Sequence, residues 1–172
     1  YKVGGASGSK RVTYISRQPV HKLSEAEREL QYAHDPSRED LVHANHRNLP
    51  TWAKDDPHIF FRTAEQYERG VGSKTHAGVA FEEWKISLPV ELSHRQNMAV
   101  MRDIVDSMAG TSLPCAYAFH APRTMDETQQ QPHLHLLLSA RKTDGIDRSP
   151  MDHFKRFNRA HPERGGAEKD RT

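Results

Sequence analysis

Three segments of the chain alternate between apolar and polar side chains with a period of two, which is the period of a β-strand. They span residues 79–88, 115–121 and 132–140. In each segment most of the large apolar side chains share one parity; among them are Trp84 and Ile86, Tyr117 and Phe119, and Leu134 and Leu136. The opposite parity carries Glu83, His120, His133 and His135. The pattern predicts three strands with one apolar face and one face of chemically active side chains.

A period of 3.6 residues predicts helices between and around these strands. The clearest one follows Ser93, which forms a capping box with Gln96. Its apolar face consists of Met98, Met101, Ile104, Val105 and Met108, and Gly110 ends it. Shorter helices are predicted from Lys10 to Gln18, over 24–34, from Thr63 to Gly70 and from Pro150 to Arg159.

Residues 35–60 are rich in Pro, Asp, His and Asn and predict a long surface excursion. Trp52, Phe60 and Phe61 lie in or near it, and we expect two of the three to belong to the core. The segments 115–121 and 132–140 predict a hairpin. Together the elements predict an α+β fold, an antiparallel sheet with helices on its apolar face.

Composition narrows the class of protein only a little. The chain has 172 residues, which fits a single domain, and its net charge of +2 permits nucleic-acid binding without requiring it. A single cysteine, Cys115, excludes an internal disulfide and fits a reducing compartment. No apolar run reaches the roughly 18–20 residues that span a bilayer.

The strongest chemical feature is the pair His133 and His135, which point to the same face of their strand. If His120 lies on a neighbouring strand, three imidazoles converge, and neutral imidazoles bind divalent transition metals. A hydrolase of the HxHxD type is disfavoured because Leu137 stands where the aspartate is needed. A metal-binding barrel needs a much longer chain. The reading that remains is a metal that holds one phosphate of DNA.

Such a site needs a nucleophile, and tyrosine is a candidate. Tyr117 faces the core by parity, whereas Tyr14 lies among Lys10, Arg11 and Arg17, whose charges can meet a phosphodiester. The alternative, that Tyr14 only packs its helix against the sheet, is about equally compatible with the sequence.

Several segments resemble, in chain order, the motifs of HUH endonucleases, and among them the MobA/MobL-type (MobQ class) plasmid mobilisation relaxases. They are YISR at 14–17, YER at 67–69, SLPVEL at 87–92, AFHA at 118–121, PHLHL at 132–136, RKTDGIDR at 141–148, FKRFN at 154–158 and PERGGA at 162–167. The resemblance covers nearly the whole chain. It implies that residues 1–172 are a relaxase domain, the N-terminal part of a longer protein.

The resemblance also implies a reaction and its participants. Tyr14 would be the nucleophile, His120, His133 and His135 the ligands of Mn²⁺ or Mg²⁺, and Glu83 an acidic residue near the reaction. The reaction would nick and rejoin single-stranded or hairpin DNA of a transfer origin through a 5′-phosphotyrosine. Accessory relaxosome proteins and a type IV secretion coupling protein would be partners, and the protein would be transferred with the DNA.

Basic side chains supply the candidate DNA contacts. They are Lys10, Arg11, Arg17, Arg141, Lys142, Lys155, Arg156, Arg159 and Arg164. The alternative for these residues is an ordinary solvated surface. Two other functions remain open: a rolling-circle replication initiator or HUH transposase, and a non-catalytic origin-binding module with structural zinc.

Overall fold

The computed structural model describes residues 8–16, 40–70, 78–123 and 129–170. The helix predicted over 24–34 and the DNA-contact candidate Arg17 lie outside these ranges. The described helices are α1 (Gly8–Ser16), α2 (Pro57–Gly70), α3 (His94–Ala109) and α4 (Pro150–His153). The strands are β1 (Leu41–Arg47), β2 (Phe81–Ser87), β3 (Cys115–His120) and β4 (His133–Ser139). Two 3₁₀ turns lie at Thr51–Ala53 and Pro162–Arg164.

The four strands form one antiparallel sheet in the order β1-β3-β4-β2. This arrangement confirms the predicted α+β class and the hairpin-like pairing of β3 with β4. The register places His120 opposite His133. His135 lies between Ala118 on one neighbouring strand and Lys85 on the other. The histidines therefore occupy the two central strands of the sheet.

One apolar core lies between the sheet and α3. Tyr117, Phe119, Leu134 and Leu136 are buried there, as their parity predicted. The capping box of Ser93 and Gln96 at the start of α3 is present, and the helix ends at Gly110 with φ of 53°. A left-handed φ of this kind favours glycine.

A second core covers the opposite face of the sheet, on which the sequence predicted no helices. Val12 and Ile15 of α1 and Phe60 and Phe61 of α2 are buried in it. The face can seat two helices because its parity also carries Ala116, Ala118 and Leu137, whose side chains are small or apolar. Phe60 and Phe61 are core residues and Trp52 is only partly buried against them, as predicted.

The prediction of a surface excursion is wrong for residues 41–60, and residues 35–39 lie outside the described ranges. Residues 41–47 pair with β3 along its whole length. Because the backbone hydrogen bonds to this central strand do not depend on side chains, β1 forms despite its His and Asn residues. Helix α2 begins at Pro57, six residues before the predicted start. Asp56 accepts the backbone N–H of His58 at 2.7 Å, and proline is favoured at the first position of a helix.

The predicted helix from Pro150 to Arg159 is limited to one turn, Pro150–His153. The carbonyls of Phe154 and Lys155 accept hydrogen bonds of 2.8 Å from the guanidinium of Arg141. Because these carbonyls are bonded to a distant side chain, the chain turns away after His153. Among the described residues no helix is long and apolar enough to span a bilayer.

Candidate functional site

Three imidazole rings converge at one end of the central strands. The ring centroids of His120 and His133 are 5.6 Å apart, those of His120 and His135 5.4 Å, and those of His133 and His135 5.1 Å. The strand register produces this cluster, because His133 and His135 share a face and His120 pairs directly with His133. The predicted convergence is confirmed, whereas the role of the rings as metal ligands remains a prediction.

The Nδ1 atoms of His133 and His135 face oxygen atoms. The Nδ1–H of His133 donates to the carbonyl of Gln131 at 2.8 Å. His135 Nδ1 lies 3.4 Å from Glu83 Oε1. A proton held on Nδ1 leaves the lone pair on Nε2, the atom with which such a ring can bind a metal. Burial lowers the pKa of His133, so this ring stays neutral at physiological pH.

His120 is more constrained than the other two rings. It is 1 % exposed, and its Nε2–H donates to the carbonyl of Ile15 in α1 at 2.8 Å. Its Nδ1 lies 3.4 Å from Oδ2 of Asp40, a buried carboxylate just before β1. Sequence reasoning missed Asp40 because it falls within the segment that was assigned to a surface loop.

Helix α1 carries Tyr14 to the histidine cluster. The Tyr14 ring contacts His135 edge-on, with 5.6 Å between centroids, and the residue is 39 % exposed. Val12 and Ile15 are buried, so these two residues, rather than Tyr14, anchor the helix in the core. Of the other described tyrosines, Tyr117 is buried and Tyr67 stacks on Phe154. Tyr14 is therefore the tyrosine that the described structure brings to the histidines.

Glu83 lies beneath this site and is 1 % exposed. One carboxylate oxygen faces His135, and the other lies 3.1 Å from Nε of Arg11. Neither contact has hydrogen-bond geometry, so both oxygens and His135 Nδ1 lack a hydrogen-bond partner among the described residues. The predicted parity is confirmed, and Arg11 is shown to be the cation nearest this carboxylate.

The clustered histidines supply donors that suit a divalent ion but not a finished metal site. Within the described part of the chain, no group of three His, Cys, Asp or Glu side chains is already positioned to hold one. One reason is visible at His120, whose Nε2 is hydrogen-bonded to Ile15. The chemistry of the donors nevertheless fits, because three converging imidazoles suit manganese or another transition ion. His120 would offer a third nitrogen donor only if its proton moved from Nε2 to Nδ1 and the hydrogen bond to Ile15 was lost.

Arg141 does not serve as a surface contact, which corrects one of the predicted DNA-binding residues. It is 6 % exposed, and its guanidinium donates to Glu68 and to the carbonyls of Phe154, Lys155 and Ala167. These bonds tie the end of β4 to α2 and to the C-terminal segment. Arg141 is therefore a structural residue.

The other basic candidates differ in their surroundings. Lys142 lies within 3.8 Å of Glu168 and Asp170, and Lys155 forms an ion pair with Asp152. Arg164 contacts Glu163, and Lys10 is exposed. Arg156 and Arg159 help to line an open cavity of about 780 Å³.

Phe157, Lys169, Glu168 and the buried Arg141 complete the lining of that cavity. The cavity adjoins the end of β4 opposite His133, because Arg141 follows that strand. Two arginines beside an aromatic ring can contact a phosphate and stack on a base.

Comparison with known proteins gives concordant results. Residues 7–169 match the MobA/MobL family. The chain is 33% identical over 163 residues to a "43 kDa relaxation protein" of Salmonella typhimurium, covering 94% of this chain and 39% of that protein. It is 32% identical over 167 residues to "Mobilization protein A" of Escherichia coli, covering 96% of this chain and 20% of that protein. The chain thus spans about two fifths and one fifth of these relatives.

A solved structure described as "Molecular Basis of Vancomycin Resistance Transfer in Staphylococcus aureus" has the same fold. The TM-score is 0.58 at 17% identity, and the match covers 96% of this chain and 70% of that one. The chain belongs to the MobA/MobL family, a relaxase family implicated in plasmid mobilisation.

Proposed function

We propose that this domain nicks and rejoins one DNA strand at the transfer origin of a plasmid or integrative element, with a divalent metal as cofactor. The observation that carries the proposal is the contact of Tyr14 with His135 in a cluster of three histidines. An exposed tyrosine beside a metal-binding set is the combination that phosphoryl transfer to a side chain needs. Membership of the MobA/MobL family supports the same reaction.

The reaction is a transesterification. The phenolic oxygen of Tyr14 forms a bond to phosphorus, and the bond from phosphorus to the 3′-oxygen breaks. The phenolic proton leaves to a base, the 3′-oxygen acquires a proton, and the protein retains the 5′-phosphate. Because one phosphodiester replaces another, the reverse attack by a 3′-hydroxyl rejoins the strand without ATP.

His120, His133 and His135 are the residues that would hold the metal. A divalent ion there would neutralise charge on the scissile phosphate and polarise its phosphorus. The protein itself places the Tyr14 hydroxyl at the phosphate and holds the histidine rings in the tautomers that metal binding requires.

Glu83 acts through His135 in this proposal. Its Oε1 faces His135 Nδ1 and its Oε2 faces Arg11, so both oxygens point to side chains within the site. A carboxylate held in this way orients an imidazole and stabilises the proton on Nδ1. Accepting the phenolic proton directly would require Glu83 to leave one of these contacts.

Single-stranded DNA is the proposed ligand. A strand held for nicking needs phosphate contacts and stacking surfaces, and the cavity beside Arg156, Arg159 and Phe157 provides both. Accessory relaxosome proteins and a secretion coupling protein remain proposed partners.

Two other functions predict different outcomes. A rolling-circle initiator or transposase would use the same chemistry, but the relatives' names, relaxation protein and Mobilization protein A, favour mobilisation. A binding module with structural zinc has no use for an exposed tyrosine at the metal cluster.

The test uses single-stranded oligonucleotides tiled across the transfer origin of the element that encodes the chain. With Mn²⁺ we expect cleavage at one position, a 5′-linked protein and a free 3′-hydroxyl. Chelation of the metal and Tyr14→Phe should each abolish the products. Specific binding without cleavage under all conditions would favour the module with structural zinc.

A further inference from the structure

Each of the three clustered imidazoles has an oxygen atom opposite Nδ1. The oxygen belongs to the Gln131 backbone for His133, to Glu83 for His135 and to Asp40 for His120. The distances are 2.8, 3.4 and 3.4 Å respectively. The Gln131 carbonyl accepts a hydrogen bond, and the carboxylates of Glu83 and Asp40 lie close enough for their negative charge to favour a proton on Nδ1. All three oxygens therefore favour the tautomer with the lone pair on Nε2.

His120 has an acceptor at its other nitrogen as well. The Ile15 carbonyl belongs to the last turn of α1, where carbonyls lack partners within the helix, and it accepts from His120 Nε2. A neutral imidazole has one N–H, so it can donate to only one of two acceptors. Asp40 and Ile15 therefore favour opposite tautomers of the same ring.

We propose that Asp40 is a positioning residue that favours the His120 tautomer able to offer Nε2 to the divalent ion. This inference rests on the proposed function, because it assigns Asp40 to the metal cluster of the nicking reaction. The carboxylate acts through His120 and is not proposed to touch the DNA.

The placement of Asp40 suits this role. Asp40 is 8 % exposed, and its backbone carbonyl accepts the N–H of Ala121 at 2.7 Å, directly after His120. The next residue, Leu41, pairs with His120 in the sheet. The carboxylate is therefore held at the same end of the sheet as the ring it contacts, on the neighbouring strand. Its negative charge also favours a cation nearby.

The inference is tested by calorimetric titration of the 172-residue chain with Mn²⁺ alone, without DNA, at about pH 8, where unperturbed imidazoles are neutral. Loss of an outer partner of a metal ligand lowers affinity roughly 10–100-fold, and we expect a loss in this range for Asp40→Asn. The matched control is Asp55→Asn. Asp55 Oδ1 contacts His46 Nε2 at 2.9 Å in a second histidine–carboxylate pair, and this variant should change affinity less than about twofold.

A double-mutant cycle separates positioning from a general effect of charge or structure. If Asp40 acts through His120, then Asp40→Asn should have no further effect on Mn²⁺ affinity in the His120→Ala background. An equal loss in both backgrounds would overturn the inference, since a general charge effect does not need the ring. Circular dichroism checks the fold, and Asp40→Ser replaces Asp40→Asn in the same cycle if the latter does not fold.

The outcomes for the two proposals differ. If the folded Asp40 variant binds Mn²⁺ as tightly as the wild-type protein does, the role of Asp40 is overturned and the proposed function stays intact. Absence of Mn²⁺ binding by the wild-type protein would contradict the metal site itself, and the role of Asp40 with it.

Discussion

Replacing Glu83 with glutamine changes the charge of the site while nearly preserving its shape. Glu83 is 1 % exposed and lies 3.4 Å from His135 Nδ1 and 3.1 Å from Arg11 Nε. The amide keeps one oxygen that can face His135, but it removes the negative charge that favours a proton on Nδ1. It also leaves the Arg11 guanidinium without its counter-ion.

Two effects of different size follow. Outer partners of metal ligands typically contribute 10–100-fold to activity, so we expect Glu83→Gln to slow nicking at least about tenfold, or about 1.4 kcal/mol in the barrier. Breaking a fully buried ion pair costs about 3–5 kcal/mol and an exposed one about 0–1 kcal/mol. Because the Arg11 side chain is 19 % exposed, the loss of stability should lie between these limits, at about 1–3 kcal/mol.

The assay is single-turnover cleavage of an origin oligonucleotide with Mn²⁺, at a temperature well below the unfolding midpoint of every variant. The control is Glu82→Gln on the opposite face of the same strand, where Glu82 lines a separate cavity beside Trp84. Glu82→Gln should retain close to wild-type rates. Equal rates for the two variants would refute the assigned role of Glu83.

Three further changes test other parts of the structure. Arg141→Met should destabilise the fold by about 3–5 kcal/mol in chemical denaturation, because it removes the donor to Oε1 of the buried Glu68, which keeps only Lys169 among the described side chains, and to three carbonyls. Lys142→Met should cost less than about 1 kcal/mol. Burial lowers the pKa of His153 from 6.5 to about 4, so the unfolded state binds its proton more readily between these values. Neutral His153 contributes to the free energy of unfolding in full above about pH 6.5, and this contribution falls by about 3 kcal/mol as the pH drops to about 4. His153→Leu should therefore make the free energy of unfolding less dependent on pH in that range. Arg156→Ala combined with Arg159→Ala should weaken single-strand binding, measured by fluorescence anisotropy, and reduce its salt dependence, whereas an unchanged salt slope would exclude this cavity as a phosphate contact.

The strands were predictable because their pattern is local. Parity alone placed Tyr117 and Phe119 in one core and His133 and His135 on the other face, and the structure agrees. The capping box at Ser93 is also a local signal, and it located the start of α3.

The elements that the sequence did not reveal depend on distant contacts. Strand β1 has weak strand character and forms because β3 offers it a pairing edge, and Asp40 was missed together with it. The one-turn α4 reflects the hydrogen bonds that its following carbonyls accept from Arg141. The helices that cover the histidine face could have been predicted from Ala116 and Ala118. Their small side chains lie on the same face of the sheet as His120 and leave space for the helices.

The central claim is that Tyr14 forms a covalent bond with DNA beside the histidine cluster. Its most direct test is mass spectrometry of the protein after reaction with an origin oligonucleotide and Mn²⁺, followed by proteolysis and peptide mapping. We expect a mass increase equal to the 5′-phosphorylated product strand, located on the peptide that contains Tyr14 and absent from Tyr14→Phe. An adduct that persists in Tyr14→Phe or maps to another residue would contradict it.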